Sequence, residues 1–200
     1  MKTFRAVNLL HRSRRLATRF ARDKRGLAAV EFVFIVPMML LLMFGTLEIS
    51  SGVAIDRKVT LTARTLSDLV SQGTKVTATD ISNFFKMGRS IMTPYEVTPD
   101  TMSQRVSAID IDGSKVAKVV WSYNGSVLGN STTVTKGYDA NTVITTIPPA
   151  LLVANTQLIW SEVTYKYTPT VGYLVKSMLP LTDECFTRPR QSDKVIYSAS

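Results

Sequence analysis

From Phe32 to Leu47 the chain carries no charged residue, and Glu31 is the only charge between Leu27 and Leu47. Coiled as a helix with ~1.5 Å rise per residue, Leu27–Leu47 measures about 32 Å, enough to cross a hydrocarbon core of ~30 Å. The stretch therefore predicts a membrane-spanning helix. Glu31 sits within its first turns, and an ionised side chain that reaches the bilayer centre costs on the order of 2.5–3.5 kcal/mol. A carboxylate in that position calls for a partner or for headgroup depth.

The charge balance fixes an orientation. The chain is basic, with a formal net charge of +9. The excess lies in front of the apolar run, where Lys2, Arg5, Arg12, Arg14, Arg15, Arg19, Arg22, Lys24 and Arg25 face a single acid, Asp23. Basic flanks stay cytoplasmic, so residues before Gly26 are expected inside and those after about Ser50 outside; Arg57, Lys58 and Arg64 reduce the asymmetry without reversing it. A nucleic-acid arm or a mitochondrial presequence would not explain why the basic block stops where a full span begins, and no nucleic-acid partner is expected. A secretory signal is a stronger rival, since Gly52-Val53-Ala54 offers small residues for cleavage. Against it, the apolar run exceeds the usual ~7–15 residues and contains Pro37 and Glu31.

The order of features at this junction is a basic leader, then Gly26, the tetrad Leu27-Ala28-Ala29-Val30, Glu31-Phe32 and a membrane helix. It is similar to the processing motif of type IV prepilins. The longer string through Phe44-Gly45-Thr46-Leu47-Glu48 resembles the TadE-like pseudopilins of the tight-adherence (Flp) pilus, with weaker support from Glu162–Pro169 and Arg188-Pro189-Arg190. The resemblance implies cleavage by a prepilin peptidase between Gly26 and Leu27, and Glu31 paired with the new α-amino group of Leu27 in an adjoining subunit. That pairing would answer the opening problem, because a carboxylate in lipid is tolerated when partnered. On the residues alone, Glu31 resting at headgroup depth beside Arg25 or a phospholipid stays open. Gly26 has a logic of its own, since a residue without Cβ lets the backbone extend and approach a protease closely.

Beyond the span, Val59, Ala63, Leu66 and Val70 recur on one helical face, so the helix is expected to continue to about Ser71, with Gly73 as a stop and Gly52 as a conceivable bend. A second helix is expected from Asp80 to about Met92, capped by Thr79 or Asp80, with Phe84 and Phe85 in the core. β structure is expected from Val106 to Ile111 and from Val116 to Tyr123, joined at Asp112-Gly113 with Ser114 lengthening the turn. Asn124-Gly125 reads as a turn, Ser126–Thr135 as a loop, Pro148–Asn155 as a short helix, and Leu158–Thr168 as the best strand. Val171–Leu181 is too short for a second span and is expected on the domain or the membrane surface.

Little in the chain suggests catalysis. His11, the only histidine, lies in the leader, so the mature product would hold no histidine for a nucleophile system or a metal site. No phosphate-binding or dinucleotide glycine motif is present, and Asp110-Ile111-Asp112-Gly113 lacks the acid a calcium loop needs at its twelfth position, where Trp121 stands. Neither enzyme activity, metal nor cofactor is expected. Cys185, the only cysteine, is either a buried free thiol or an intermolecular disulfide.

The expected protein is α+β and pilin-like: a leader over 1–26, a transmembrane helix over 27–52, and a small extracytoplasmic domain with an antiparallel sheet over 53–200. The resemblance implies a minor pilin or pseudopilin in Flp pilus assembly. Its partners would be the prepilin peptidase, other pilus subunits and the assembly platform, and it would sit in the cytoplasmic membrane through Leu27–Leu47 or in the pilus at the cell surface. The alternatives are an anchored extracytoplasmic binding or sensor protein and a secreted protein cleaved near Ala54.

Overall fold

Residues whose side chains alternate between two environments build most of the outer part of this chain. In the computed structural model, which describes residues 25–169 and 178–198, the elements are α1 (Arg25–Ser71), β1 (Lys75–Thr77), α2 (Ala78–Met92), β2 (Met102–Ile111), β3 (Ala117–Leu128), β4 (Ser131–Lys136), a 3₁₀ turn (Pro149–Leu151), β5 (Thr156–Tyr167), β6 (Leu179–Thr187) and β7 (Ile196–Ser198). The leader before Arg25, and residues 170–177 of the expected Val171–Leu181 tail, lie outside the described residues. The chain divides into two compact units, Met1–Leu47 and Glu48–Ser200.

In the first unit, α1 runs unbroken through Pro37. Its side chains from Gly26 to Phe44 are exposed apart from half-buried Val36. Helical structure also continues through Gly52, where a bend was conceivable.

The second unit is built on a five-stranded sheet in the order β4-β3-β2-β5-β6, antiparallel throughout, with β1 and β7 forming a separate parallel pair. Ile55, Val59, Ala63, Leu66 and Val70 of α1 form a fully buried stripe at helical spacing, in one core with Val106, Ala108, Ile159 and Val163 of the sheet. Small and hydroxyl side chains let the helix come close: Ser161 Oγ donates to Ala63 O at 2.5 Å, and Ser67 Oγ donates to Ile159 O at 3.1 Å. Each bond satisfies a hydroxyl that would otherwise be buried at a cost of about 1–3 kcal/mol. The end of α1 is tied down by Arg190, whose N–H donates to Ser71 O at 2.9 Å and whose guanidinium pairs with Asp68.

Helix α2 starts earlier than expected. Its cap is Thr77, with Asp80 completing a capping box in which Asp80 N donates to Thr77 Oγ1 at 3.2 Å and Thr77 N to Asp80 Oδ2 at 2.9 Å. Asp80 is thus the third helical residue, where a carboxylate meets free backbone N–H groups, and those bonds hold its pKa below the ordinary carboxylate range.

The turn after β2 is widened as the sequence suggested: Asp112 Oδ1 accepts from Ser114 N and Val116 N, both at 2.9 Å, and Lys115 takes φ 62°. The reading of Asn124-Gly125 as a turn and Ser126–Thr135 as a loop is corrected by the structure. β3 runs straight through both residues, and the chain reverses at Gly129 (φ 59°) into β4. Gly125 is there for space, since a Cβ at this position would lie 2.0 Å from Phe85 Cδ2. The short helix expected over Pro148–Asn155 contracts to the 3₁₀ turn.

A small side chain at residue 125 should therefore be destabilising. Gly125→Ala is expected to cost about 1–3 kcal/mol through overpacking, read as a lower thermal midpoint by circular dichroism. The loss should shrink when Gly125→Ala is combined with Phe85→Leu, because the two changes share one contact.

Candidate functional site: the apolar helix and its first turns

An α-helix satisfies its own backbone groups, so what it can enter depends on its side chains. On the first unit these are Leu27, Val30, Phe32, Phe34, Met38, Leu42 and their neighbours, with Phe34 at 73% and Phe32 at 67% of full exposure. The exposed residues fall on every side rather than along a stripe, which is the pattern of a helix surrounded by apolar material. Among the described residues this is one helix long and apolar enough to cross a membrane.

The structure places Gly26, Leu27, Glu31 and Phe32 together in the first two turns of α1, all exposed. A Cβ at Gly26 would meet nothing within 4 Å, in contrast to Gly125 and to Gly88, where it would lie 2.1 Å from Gln104 Oε1. Among the described residues no contact requires glycine at residue 26. Thr46 Oγ1 donates back to Leu42 O at 2.8 Å, so the hydroxyl at the far end of the apolar run is internally satisfied.

Cys185 belongs to the other unit. It lies on β6 opposite Ser161, half-buried and packed against the core that α1 shares with the sheet. Burial pushes its thiol pKa up, against the pull of nearby Arg64.

Sequence reasoning missed a cluster on the sheet face turned away from α1. Arg105 Nε donates to Asn124 Oδ1 at 2.6 Å, its Nη1 pairs with Glu162 Oε2 at 3.1 Å, and its guanidinium lies 4.3 Å from the centre of the Tyr138 ring. Tyr138 stacks on Trp160 and Trp160 on Phe186, each at 5.6 Å between centres, while Trp160 Nε1 donates to Glu184 Oε2 at 3.0 Å. Burial raises the Glu162 pKa against the opposing pull of Arg105. The alternation of Trp160, Glu162 and Thr164 along β5 was the available signal, but partners from three other segments were not readable. The cluster clamps the segment around Tyr138 to the sheet, together with a second small core of Ile109, Ile111, Ala117, Ile147 and Leu158. Among the described residues no group of three His, Cys, Asp or Glu is placed to hold a metal. The Asp110–Asp112 segment is the wide turn and its flank; Asp110 pairs with Lys194 at 2.5 Å.

An apolar helix leading into an antiparallel-sheet domain defines the class, an α+β protein with one candidate membrane anchor among the described residues. Residues 26–66 match the family model of TadE-like protein, so the stretch from Gly26 to Leu66 is TadE-like, as its residues suggested. That family is associated with the tight-adherence pilus, and the matched stretch holds the candidate membrane-spanning helix. No curated protein and no solved structure matches the chain.

The position of Cys185 sets its reactivity. With a raised pKa and a half-buried sulfur, alkylation by iodoacetamide at pH 8 is expected to run about tenfold or more slower in the folded protein than in urea. Equal rates, measured by mass spectrometry, would show an open thiol available for intermolecular linkage.

Proposed function

We propose that this protein is a minor pilin or pseudopilin of a tight-adherence pilus. The leader through Gly26 is removed by a prepilin peptidase in the cytoplasmic membrane, and the helix from Leu27 holds the subunit there until assembly. The observation that carries the reading is the TadE-like match starting at residue 26, where the motif Gly26–Phe32 opens a helix exposed and apolar on all sides.

Two physical points support it. Among the described residues no packing contact calls for glycine at residue 26, which fits a residue chosen for handling by a protease. Helical glycine is less stable than alanine by roughly 0.5–1 kcal/mol, which makes the first turn easy to unwind into an extended substrate. Glu31 is exposed on an otherwise apolar helix. Cleavage after Gly26 creates an α-amino group four residues before it, and on a neighbouring helix displaced along the axis that amine becomes the carboxylate's partner. In a packed bundle of such helices the ion pair fixes register, because any other stagger leaves a charge unpaired in an apolar setting. The basic leader keeps the N-terminus cytoplasmic and the sheet domain extracytoplasmic.

The reading is tested in cells that make the peptidase and the other pilus components. Gly26→Val is expected to leave the leader attached, seen as an unprocessed intact mass; a mature mass in that variant would refute the cut. Glu31→Gln is expected to keep membrane insertion and processing while pili fall severalfold in number by electron microscopy. Normal piliation would overturn the register role.

A further inference from the structure

Strand β4 pairs with β3 only from Tyr123 to Leu128, and where that pairing ends the second unit holds a cleft. One cavity of about 620 Å³ is lined by Trp121 and Tyr123 of β3, Tyr138 after β4, and Lys194 and Tyr197 of the C-terminal segment. A second, of about 490 Å³, adjoins it and shares Asp110, Val120, Ala140 and Lys194. Val120 marks the junction. The β2–β3 register shifts so that Ala108 lies opposite Trp121 and Ile109 opposite Val119, which leaves Val120 without a partner on β2 and 43% exposed. A bulge of this kind bends an edge strand and re-aims the side chains beside it.

The lining combines two chemistries. Tyr197 lies 4.5 Å from Tyr123 and 6.3 Å from Trp121 between ring centres, so three aromatic rings gather on one side. The polar part is fixed in place: Lys194 Nζ donates to Asp110 Oδ2 at 2.5 Å, Gln157 Nε2 to Asp110 Oδ1 at 2.9 Å, and Val195 N to Gln157 Oε1 at 2.7 Å. A carboxylate accepts about four hydrogen bonds and an ammonium donates three, so these contacts exhaust neither Asp110 nor Lys194. Asn141 and Asn155 add amides to the second cavity.

Charge and backbone narrow the ligand. Each lysine lining the two cavities is matched by an aspartate, Lys194 by Asp110, Lys118 by Asp112 and Lys136 by Asp139, so no surplus of charge singles out an anion. An extended peptide docks by adding a strand to an open edge, but this edge is in use: Gly137 N donates to Ser122 O at 2.9 Å, Asn141 N to Val119 O at 2.8 Å and Val119 N to Thr142 O at 3.0 Å. A sugar ring has an apolar C–H face and a rim of hydroxyls that each donate and accept, which suits an aromatic surface beside carboxylate, amide and ammonium groups. Two joined cavities hold more than one such ring. We infer that the cleft binds a neutral oligosaccharide, one ring stacked on Tyr197 and Tyr123 with its hydroxyls on Asp110 and Lys194. The inference concerns the second unit alone and does not rest on the pilin reading.

The test uses the full chain in a phosphocholine detergent, which carries no sugar to compete, with cellohexaose, maltohexaose and laminarihexaose as neutral probes. Hexagalacturonate and an uncharged heptapeptide are the anionic and peptide comparisons. Acetylation of lysines, read by mass spectrometry, reports which are covered. At least one neutral probe is expected to slow acetylation of Lys194 severalfold, while exposed Lys86 and Lys166, outside the cleft, react unchanged. The protection is expected to disappear in Tyr197→Leu, with circular dichroism confirming the fold. No protection of Lys194 by any of the three sugars, or equal slowing at Lys86 and Lys166, would overturn the inference. Protection by hexagalacturonate alone or by the peptide alone would overturn it too, and assign the cleft to an anion or to a protein. Protection that survives in folded Tyr197→Leu would refute the stacking on which the assignment depends. Should that variant misfold, saturation-transfer NMR on the unaltered chain decides the point: irradiating the aromatic protons is expected to mark the C–H protons of the sugar ring, and no transfer would refute the contact.

Discussion

A helix with apolar side chains on all sides has no stable place in water, and that constraint organises the molecule. The exposed leucines, phenylalanines and methionines between Leu27 and Phe44 would each give back about 1.5–3 kcal/mol on full burial. No other described part of the chain has as much to gain from a change of surroundings. Lipid is one such environment and like helices are another, and the two are close enough in polarity for a helix to pass between them. In that exchange the difference between states lies in packing and polar pairing, because lipid tails are as apolar as leucine. The single carboxylate of the apolar run, Glu31, then has an influence far beyond its size.

The same helix is used differently once it passes Glu48. There it narrows from an all-round apolar surface to the stripe Ile55, Val59, Ala63, Leu66 and Val70, and the sheet takes that stripe as one wall of its core. The contact is close because Ala63, Ser67 and Ser161 are small, and the hydroxyls bond to backbone carbonyls across the contact instead of being buried unmatched. On the opposite face of the sheet, Arg105, Glu162 and the Tyr138–Trp160–Phe186 stack do structural work, holding a long irregular segment in place.

Much of this was legible in the residues. The apolar run, the outer stripe of α1, the second helix, the widened Asp112 turn and the strand around Trp160 all follow from local periodicity and turn chemistry. What failed were positions where a distant contact decides. Asn124-Gly125 has the form of a turn, yet Gly125 lies within a strand because the Phe85 ring occupies the space of a side chain there. Polar Ser131–Lys136 reads as loop, yet it pairs with β3 as a sheet edge whose outer side needs no apolar residues. Thr77 rather than Thr79 caps α2 because the carboxylate of Asp80 completes the box three residues on. At the candidate site the motif Gly26–Phe32 was plain in sequence because its residues are adjacent.

The central claim is that the helix begins its working life at Leu27, with an amine in reach of a neighbour's Glu31. The most direct measurement is amino-terminal sequencing of the protein purified from membranes of cells that express the peptidase. The account predicts a first residue of Leu27. A chain still starting at Met1 would contradict it in favour of a permanently anchored protein, and a start near Ile55 would contradict it in favour of a secreted one.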